Sequence, residues 1–71
     1  MDVIIKTEVL LNVLNTAIAH ASFFNSPQLY ILQQMQYEVY HTAISLKEIE
    51  KKIQDVIAIK QEIISSHNHY V

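Results

Sequence analysis

The side chains that could do chemistry in this 71-residue sequence are few, and the four histidines come first among them. His67 and His69 form an H-x-H pair, whose spacing suits coil or strand rather than one face of a helix. The chain has no cysteine, and no acid stands beside the pair. We therefore interpret residues 67–71 as a frayed, solvated tail, and expect no metal site and no cofactor.

A Ser/His/acid set can be assembled from Ser45, His41 and Glu38, which would lie on neighbouring turns of a helix. A helix surface supplies no oxyanion hole, and such triples arise by chance in many helices. The chain also has no glycine for a phosphate-binding loop and no arginine for a bidentate clamp on a carboxylate or phosphate. These observations predict that the protein is not an enzyme.

Charge is sparse and unevenly placed. The formal net charge is −2, with five lysines against seven acids, which disfavours nucleic-acid binding. No charged residue lies between Glu8 and Glu38, and this run raises the question of a membrane span. Asn12, Asn15 and His20 interrupt the apolar run, so a helix buried in protein is the favoured interpretation. The opening residues lack the basic region of a signal peptide, and the absence of cysteine fits a reducing compartment.

The elements that must position these residues are helices, because the chain has one proline and no glycine to interrupt them. Apolar residues three and four apart predict helix 1 over residues 3–22. An elbow follows at residues 23–26, and Pro27 suits the first position of the next helix. Helix 2 is predicted over residues 27–66. The expected fold is a single all-α domain, a coiled-coil-like antiparallel hairpin of two helices, the first short and the second long.

The unequal helix lengths predict a partner. Helix 1 would be about 30 Å long and helix 2 about 60 Å, so helix 1 would cover only the first half of helix 2. No Gly or Pro favours a break between Thr42 and Ser45. The apolar residues of the uncovered half would then form an interface. The predicted partner-binding residues are Leu11, Ile18, Ile49, Ile53, Val56, Ile57 and Ile64. The predicted hairpin seam is Leu10, Leu14, Ala17, Leu32, Met35, Val39 and Leu46.

The second helix opens with a Pro-x-x-Tyr step followed by glutamines, formed by Ser26, Pro27, Tyr30, Gln33 and Gln34. With a shorter first helix and a polar turn before it, this arrangement resembles the small E-type co-chaperones of the type III secretion needle subunit. The resemblance implies a cytoplasmic bacterial helical hairpin without enzymatic activity. It also implies a tetratricopeptide-like helical-repeat co-chaperone as partner, and through it a needle subunit that the pair keeps unpolymerised before export.

Two other interpretations stay open. The elbow also resembles needle and inner-rod filament subunits of the same apparatus, which turn at an Asn/Asp-Pro-x-x-Leu step. Residues 3–18 disfavour a needle or inner-rod subunit, because they are strongly apolar where such subunits carry a polar N-terminal segment. A small membrane-associated helical protein is the third possibility. Self-association in the absence of a partner is compatible with the first interpretation.

Overall fold

The computed structural model describes residues 2–69, with side chains for residues 3–66, and within them it contains three helices and no strand. These are α1 (Asp2–Phe23), α2 (Gln28–His41) and α3 (Leu46–His69). The all-α prediction is confirmed, and the bounds of helix 1 agree within one residue. The two-helix hairpin is wrong, because the predicted second helix is divided into α2 and α3.

The turn between α1 and α2 is closed without glycine. Asn25 adopts a left-handed conformation with φ of 52°, which asparagine tolerates better than most residues. The Ser26 N–H donates to the Ala21 carbonyl at 2.8 Å, and the Asn25 N–H donates to the Ser22 carbonyl at 3.3 Å. This pair of bonds is a Schellman motif, which satisfies carbonyls that the end of α1 would otherwise leave free.

Ser26 and Pro27 form the start of α2. The Ser26 hydroxyl oxygen accepts a hydrogen bond from the Gln28 N–H at 3.1 Å. Pro27 already has helical angles, φ −63° and ψ −15°, and so occupies a position where its missing N–H is not needed. The serine and proline of the elbow therefore end one helix and begin the next.

A capping box divides the predicted long helix. Thr42 is extended, with φ −132° and ψ 139°, and ends α2. The Ser45 hydroxyl accepts from the Glu48 N–H at 3.2 Å, while the Glu48 carboxylate accepts from the Ser45 N–H at 3.5 Å. This reciprocal pair is the S-x-x-E motif that starts helices. Ile44, just before the cap, packs against the core and holds the angle at which the chain enters α3.

The three helices form a narrow bundle in which α1 lies between α2 and α3. The Lys6 ammonium approaches the Glu50 carboxylate at 3.9 Å near the beginnings of α1 and α3, so these two helices run parallel. α2 runs antiparallel to α1, and its Gln36 side chain donates to the Asn15 amide oxygen at 2.8 Å. α2 and α3 touch each other little. The Cα atoms span 43 × 18 × 14 Å, which leaves a large surface for so small a chain.

The core runs along the inner side of α1 and takes residues from all three helices. Its buried members are Leu10, Leu14, Ala17, Ala21, Leu32, Ile49, Val56 and Ile63. The predicted seam residues Leu10, Leu14, Ala17 and Leu32 are among them, while Met35 and Val39 pack against them half-buried. Two alanines let α1 approach its neighbours closely. The spacing along α1 therefore identified the inward face correctly.

The expectation that the second half of the long helix lies uncovered is wrong. Because the chain reverses at residues 42–45, α3 folds back along α1 and buries Ile49 and Val56 within the same molecule. Fully burying such a side chain contributes roughly 2 kcal/mol. The backbone of α3 continues to His69, three residues past the predicted end of the helix. The side chains of the predicted tail, residues 67–71, lie outside the described residues.

Candidate partner-binding surface

The seven residues predicted to bind a partner do not form one accessible face. Ile49 and Val56 lie in the core, at 2% and 0% exposure, so no partner reaches them while the three helices stay packed. Leu11, Ile18, Ile53 and Ile64 are half-buried. Ile57 is the exposed member of the set. Their role in binding stays a prediction, and the larger exposed apolar side chains lie on α1 and α2.

The distribution of charge separates α1 and α2 from α3. Residues 9–37 contain no Asp, Glu, Lys or Arg, and they make up most of α1, the elbow and most of α2. α3 carries four lysines and four acids. Its ion pair between Lys51 and Asp55, at 3.1 Å, is exposed and adds little stability. The outward side of residues 9–37 is therefore the uncharged part of the surface.

A stripe of aromatic and amide side chains runs along the outside of α2. We call it the tyrosine stripe, and it consists of Tyr30, Gln34, Tyr37 and His41, with Tyr40 alongside. The spacing of four, three and four residues aligns them on one face. Tyr30, Tyr37 and Tyr40 are 75%, 60% and 62% exposed. The rings of Tyr37 and His41 stack with centroids 4.2 Å apart, which gives the stripe one ordered pair.

The stripe was not predicted from the sequence, because Tyr30 and Tyr37 repeat at seven residues, as the seam residues Leu32 and Val39 do. The tyrosines differ from the seam residues in their angular position around the helix. Tyr30 and Tyr37 each precede a seam residue, Leu32 and Val39, by two positions, which is about 200° around a helix. The tyrosines therefore point away from the core that buries Leu32.

The three residues of the Ser/His/acid set each have a structural partner. Glu38 pairs with the Lys52 ammonium at 3.4 Å, His41 stacks on Tyr37, and Ser45 caps α3. None of the three bonds to another. Across the described part of the chain, no group of three or more acids and histidines is placed to hold a metal ion. No buried side-chain nitrogen or oxygen there lacks a hydrogen bond.

An open cleft lies between the elbow and the end of α3. The residues that line it are Phe24, Asn25, Ser26, Pro27, Gln28, Glu62, Ile63 and Ser66. Among the described lining residues the one carboxylate belongs to Glu62, and none is a histidine or a lysine. Ser26 already accepts the Gln28 N–H. Within the described residues the cleft therefore shows no nucleophile held by a base.

α1 is also long and apolar enough, by length and composition, to cross a membrane. The qualifying stretch is Val3–Phe23, with a mean hydropathy of 1.2 over its best window. In the folded chain 17% of that window is buried. One such helix is weak evidence for a membrane protein, because core helices of soluble proteins pass the same test.

The elbow residues that carry the family resemblance have two different roles. Ser26 and Pro27 build the turn, while Tyr30, Gln33 and Gln34 are exposed on the outside of α2. The chain matches no known protein family, no curated protein and no solved structure. The surface that stands out by geometry and composition is therefore the uncharged outer side of α1 and α2, with the tyrosine stripe at its centre on α2.

Proposed function

We propose that this protein is a helical binding module that docks a partner protein on its tyrosine stripe. The observation that carries the proposal is the exposure of Tyr30, Tyr37 and Tyr40 on the outer side of α2, the first two within the charge-free run of residues 9–37. Tyrosine has a large, rigid ring with a polar tip, and interfaces are enriched in it for that reason. The module acts stoichiometrically, by binding.

The more specific form of the proposal follows the resemblance at the elbow. The protein serves as a cytoplasmic co-chaperone of type III secretion, which stabilises a tetratricopeptide-like co-chaperone and thereby helps to keep the needle subunit unpolymerised. The resemblance implied one long second helix, and the break at residues 42–45 departs from it. What supports the assignment is local: the Pro-x-x-Tyr step starts α2 and places Tyr30 and the two glutamines outward, where a partner can reach them.

A helical-repeat partner suits the shape of this surface. Such proteins present a concave groove that accepts a helix, and α2 is an exposed helix of 14 residues. Its outward residues offer aromatic rings and amides for packing and hydrogen bonding without a charge that burial would have to desolvate. Tyr37, at the middle of the stripe, is the expected hot spot, and its truncation is expected to weaken binding by about 2 kcal/mol.

The test compares one substitution at two sites. Gln34→Glu places a charge within the stripe, and Gln54→Glu places the same charge on the exposed, already charged side of α3. Each variant is co-expressed with the helical-repeat protein encoded near its gene, and co-purification is quantified. We expect Gln34→Glu to weaken capture about tenfold and Gln54→Glu to leave it unchanged, because only the first buries a carboxylate in the interface.

Four outcomes would reject parts of this proposal. Equal capture by both variants would remove the tyrosine stripe as the docking surface. Absence of any helical-repeat partner would remove the co-chaperone assignment. Polymerisation of the isolated protein into filaments would favour the needle or inner-rod alternative, and a requirement for detergent would favour a membrane-associated protein.

A further inference from the structure

A second exposed line of residues runs along α1, on the side away from the core. It consists of Ile5, Val9, Asn12, Thr16, Ala19 and Phe23, all exposed, and we call it the outer α1 seam. Its spacing alternates between four and three residues over the whole helix, which is the spacing of a coiled-coil seam. The buried residues Leu10 and Leu14 lie roughly opposite, against α2 and α3. α1 therefore carries two seams, and the folded chain covers one of them.

The outer α1 seam is symmetric in position about residue 14. In an antiparallel pair of α1 helices centred there, Ile5 faces Phe23 of the other copy, Val9 faces Ala19, and Asn12 faces Thr16. Every seam position thus meets another seam position, in the alternating layers of an antiparallel coiled coil. A two-fold axis produces each contact twice, which is how isologous dimers are built.

The side chains in these layers are complementary in size and polarity. The bulky Phe23 ring meets an isoleucine at each end of the seam, while the small Ala19 leaves room for Val9. At the centre, the Asn12 amide meets the Thr16 hydroxyl, which donates to the Asn12 carbonyl of its own helix at 3.0 Å and can still accept a hydrogen bond from the amide. No group in the described part of the chain bonds the Asn12 side-chain amide. A polar layer in an apolar seam fixes register and orientation in coiled coils.

Charge and area both fit a second copy as the occupant. The seam contains no charged residue, so two copies meet without repulsion between their central faces. The chain exposes 5096 Å², whereas a folded monomer of 8.2 kDa exposes about 4,500 Å². An interface of about 1,000 Å² would take ~500 Å² from each copy, roughly a tenth of this exposed surface.

We propose that two copies of this chain associate through the outer α1 seam as an antiparallel, two-fold symmetric dimer. The tyrosine stripe lies on α2 and is not part of this seam, so the dimer does not depend on the proposed function. The chain has no native cysteine, which makes disulfide crosslinking a direct test of the register.

The crosslinking experiment uses two single-cysteine variants of the full chain, Val9→Cys and Ala19→Cys. Mixed and oxidised, they should give a reducible covalent dimer, because positions 9 and 19 face each other across the two-fold axis. Either variant oxidised alone should stay uncrosslinked, because its two cysteines lie about 15 Å apart along the helix direction. Crosslinking of Ala19→Cys with itself would indicate a parallel pair and overturn the proposal.

A matched charge substitution tests the same interface at equilibrium. Ala19→Glu and Ala58→Glu both alter an exposed alanine of a long helix, and only the first lies in the seam. By analytical ultracentrifugation, Ala19→Glu should raise the dimer dissociation constant about 100-fold, since the two-fold axis buries the charge twice. Ala58→Glu should leave it unchanged. Circular dichroism of both variants checks that the helices are retained.

Other results would overturn the dimer. A wild-type chain that sediments as a monomer at all concentrations has no such interface. A dimer that both glutamate variants leave intact uses a different surface. If the chain is soluble only with detergent, the seam lies against lipid. If two copies associate only in the presence of the helical-repeat protein, the seam binds that protein.

Discussion

Neighbouring residues of α3 have opposite roles in this molecule. Val56 is fully buried against α1, and Ile57, one position later, is exposed. The sequence predicted both as partner-binding residues, because an apolar residue on a helix is inward or outward only with respect to what packs beside it. The position of α1 along α3 was the missing information, and it depends on where the chain reverses.

The two substitutions Val56→Ala and Ile57→Ala should therefore differ in stability. Val56→Ala removes fewer atoms yet should lower the free energy of unfolding by about 2 kcal/mol, because it leaves a cavity in the core. Ile57→Ala removes more atoms but should cost less than about 1 kcal/mol, because the side chain is partly in water in the folded state. Urea unfolding followed by circular dichroism measures both values. Equal costs would contradict the placement of Val56 in the core.

At the scale of helices, the sequence predicted the first and missed the boundary between the second and third. The end of helix 1 could be predicted because the elbow contains asparagine, serine and proline. The three–four spacing of Val39, Thr42 and Leu46 continues through the break, with Thr42 as a polar member. Periodicity alone therefore favours a continuous helix. The motif that starts α3, serine followed three residues later by glutamate, was present in the sequence but is short and common.

Removal of this cap should destabilise the protein specifically at the start of α3. Ser45→Ala leaves the Glu48 N–H without its acceptor and should cost about 1 kcal/mol of stability. Ser65→Ala, at an exposed position near the other end of the same helix, serves as the control and should change stability by less than about 0.5 kcal/mol. Thermal and urea unfolding compare the two. An unchanged midpoint for Ser45→Ala would mean that packing alone defines the break.

In the molecule as a whole, α1 packs against both α2 and α3. The sequence favoured a helix buried in protein for this apolar segment. α3 of the same chain covers the second side of α1, and a further side of α1 is exposed. That remaining side contains the outer α1 seam, which repeats the three–four spacing of the core residues on the opposite side of the helix.

Because α2 and α3 meet α1 separately and contact each other little, either outer helix can detach while the other stays bound. Amide hydrogen exchange should reveal this as three levels of protection, slowest in the middle of α1 around Leu14, which lies in the core. The shorter α2 should exchange faster than α3, since it has the smaller packed area. Identical exchange free energies in all three helices would mean that the bundle opens only as a unit. Local unfolding of this protein is therefore expected to begin at either outer helix, and α1 is expected to unfold last.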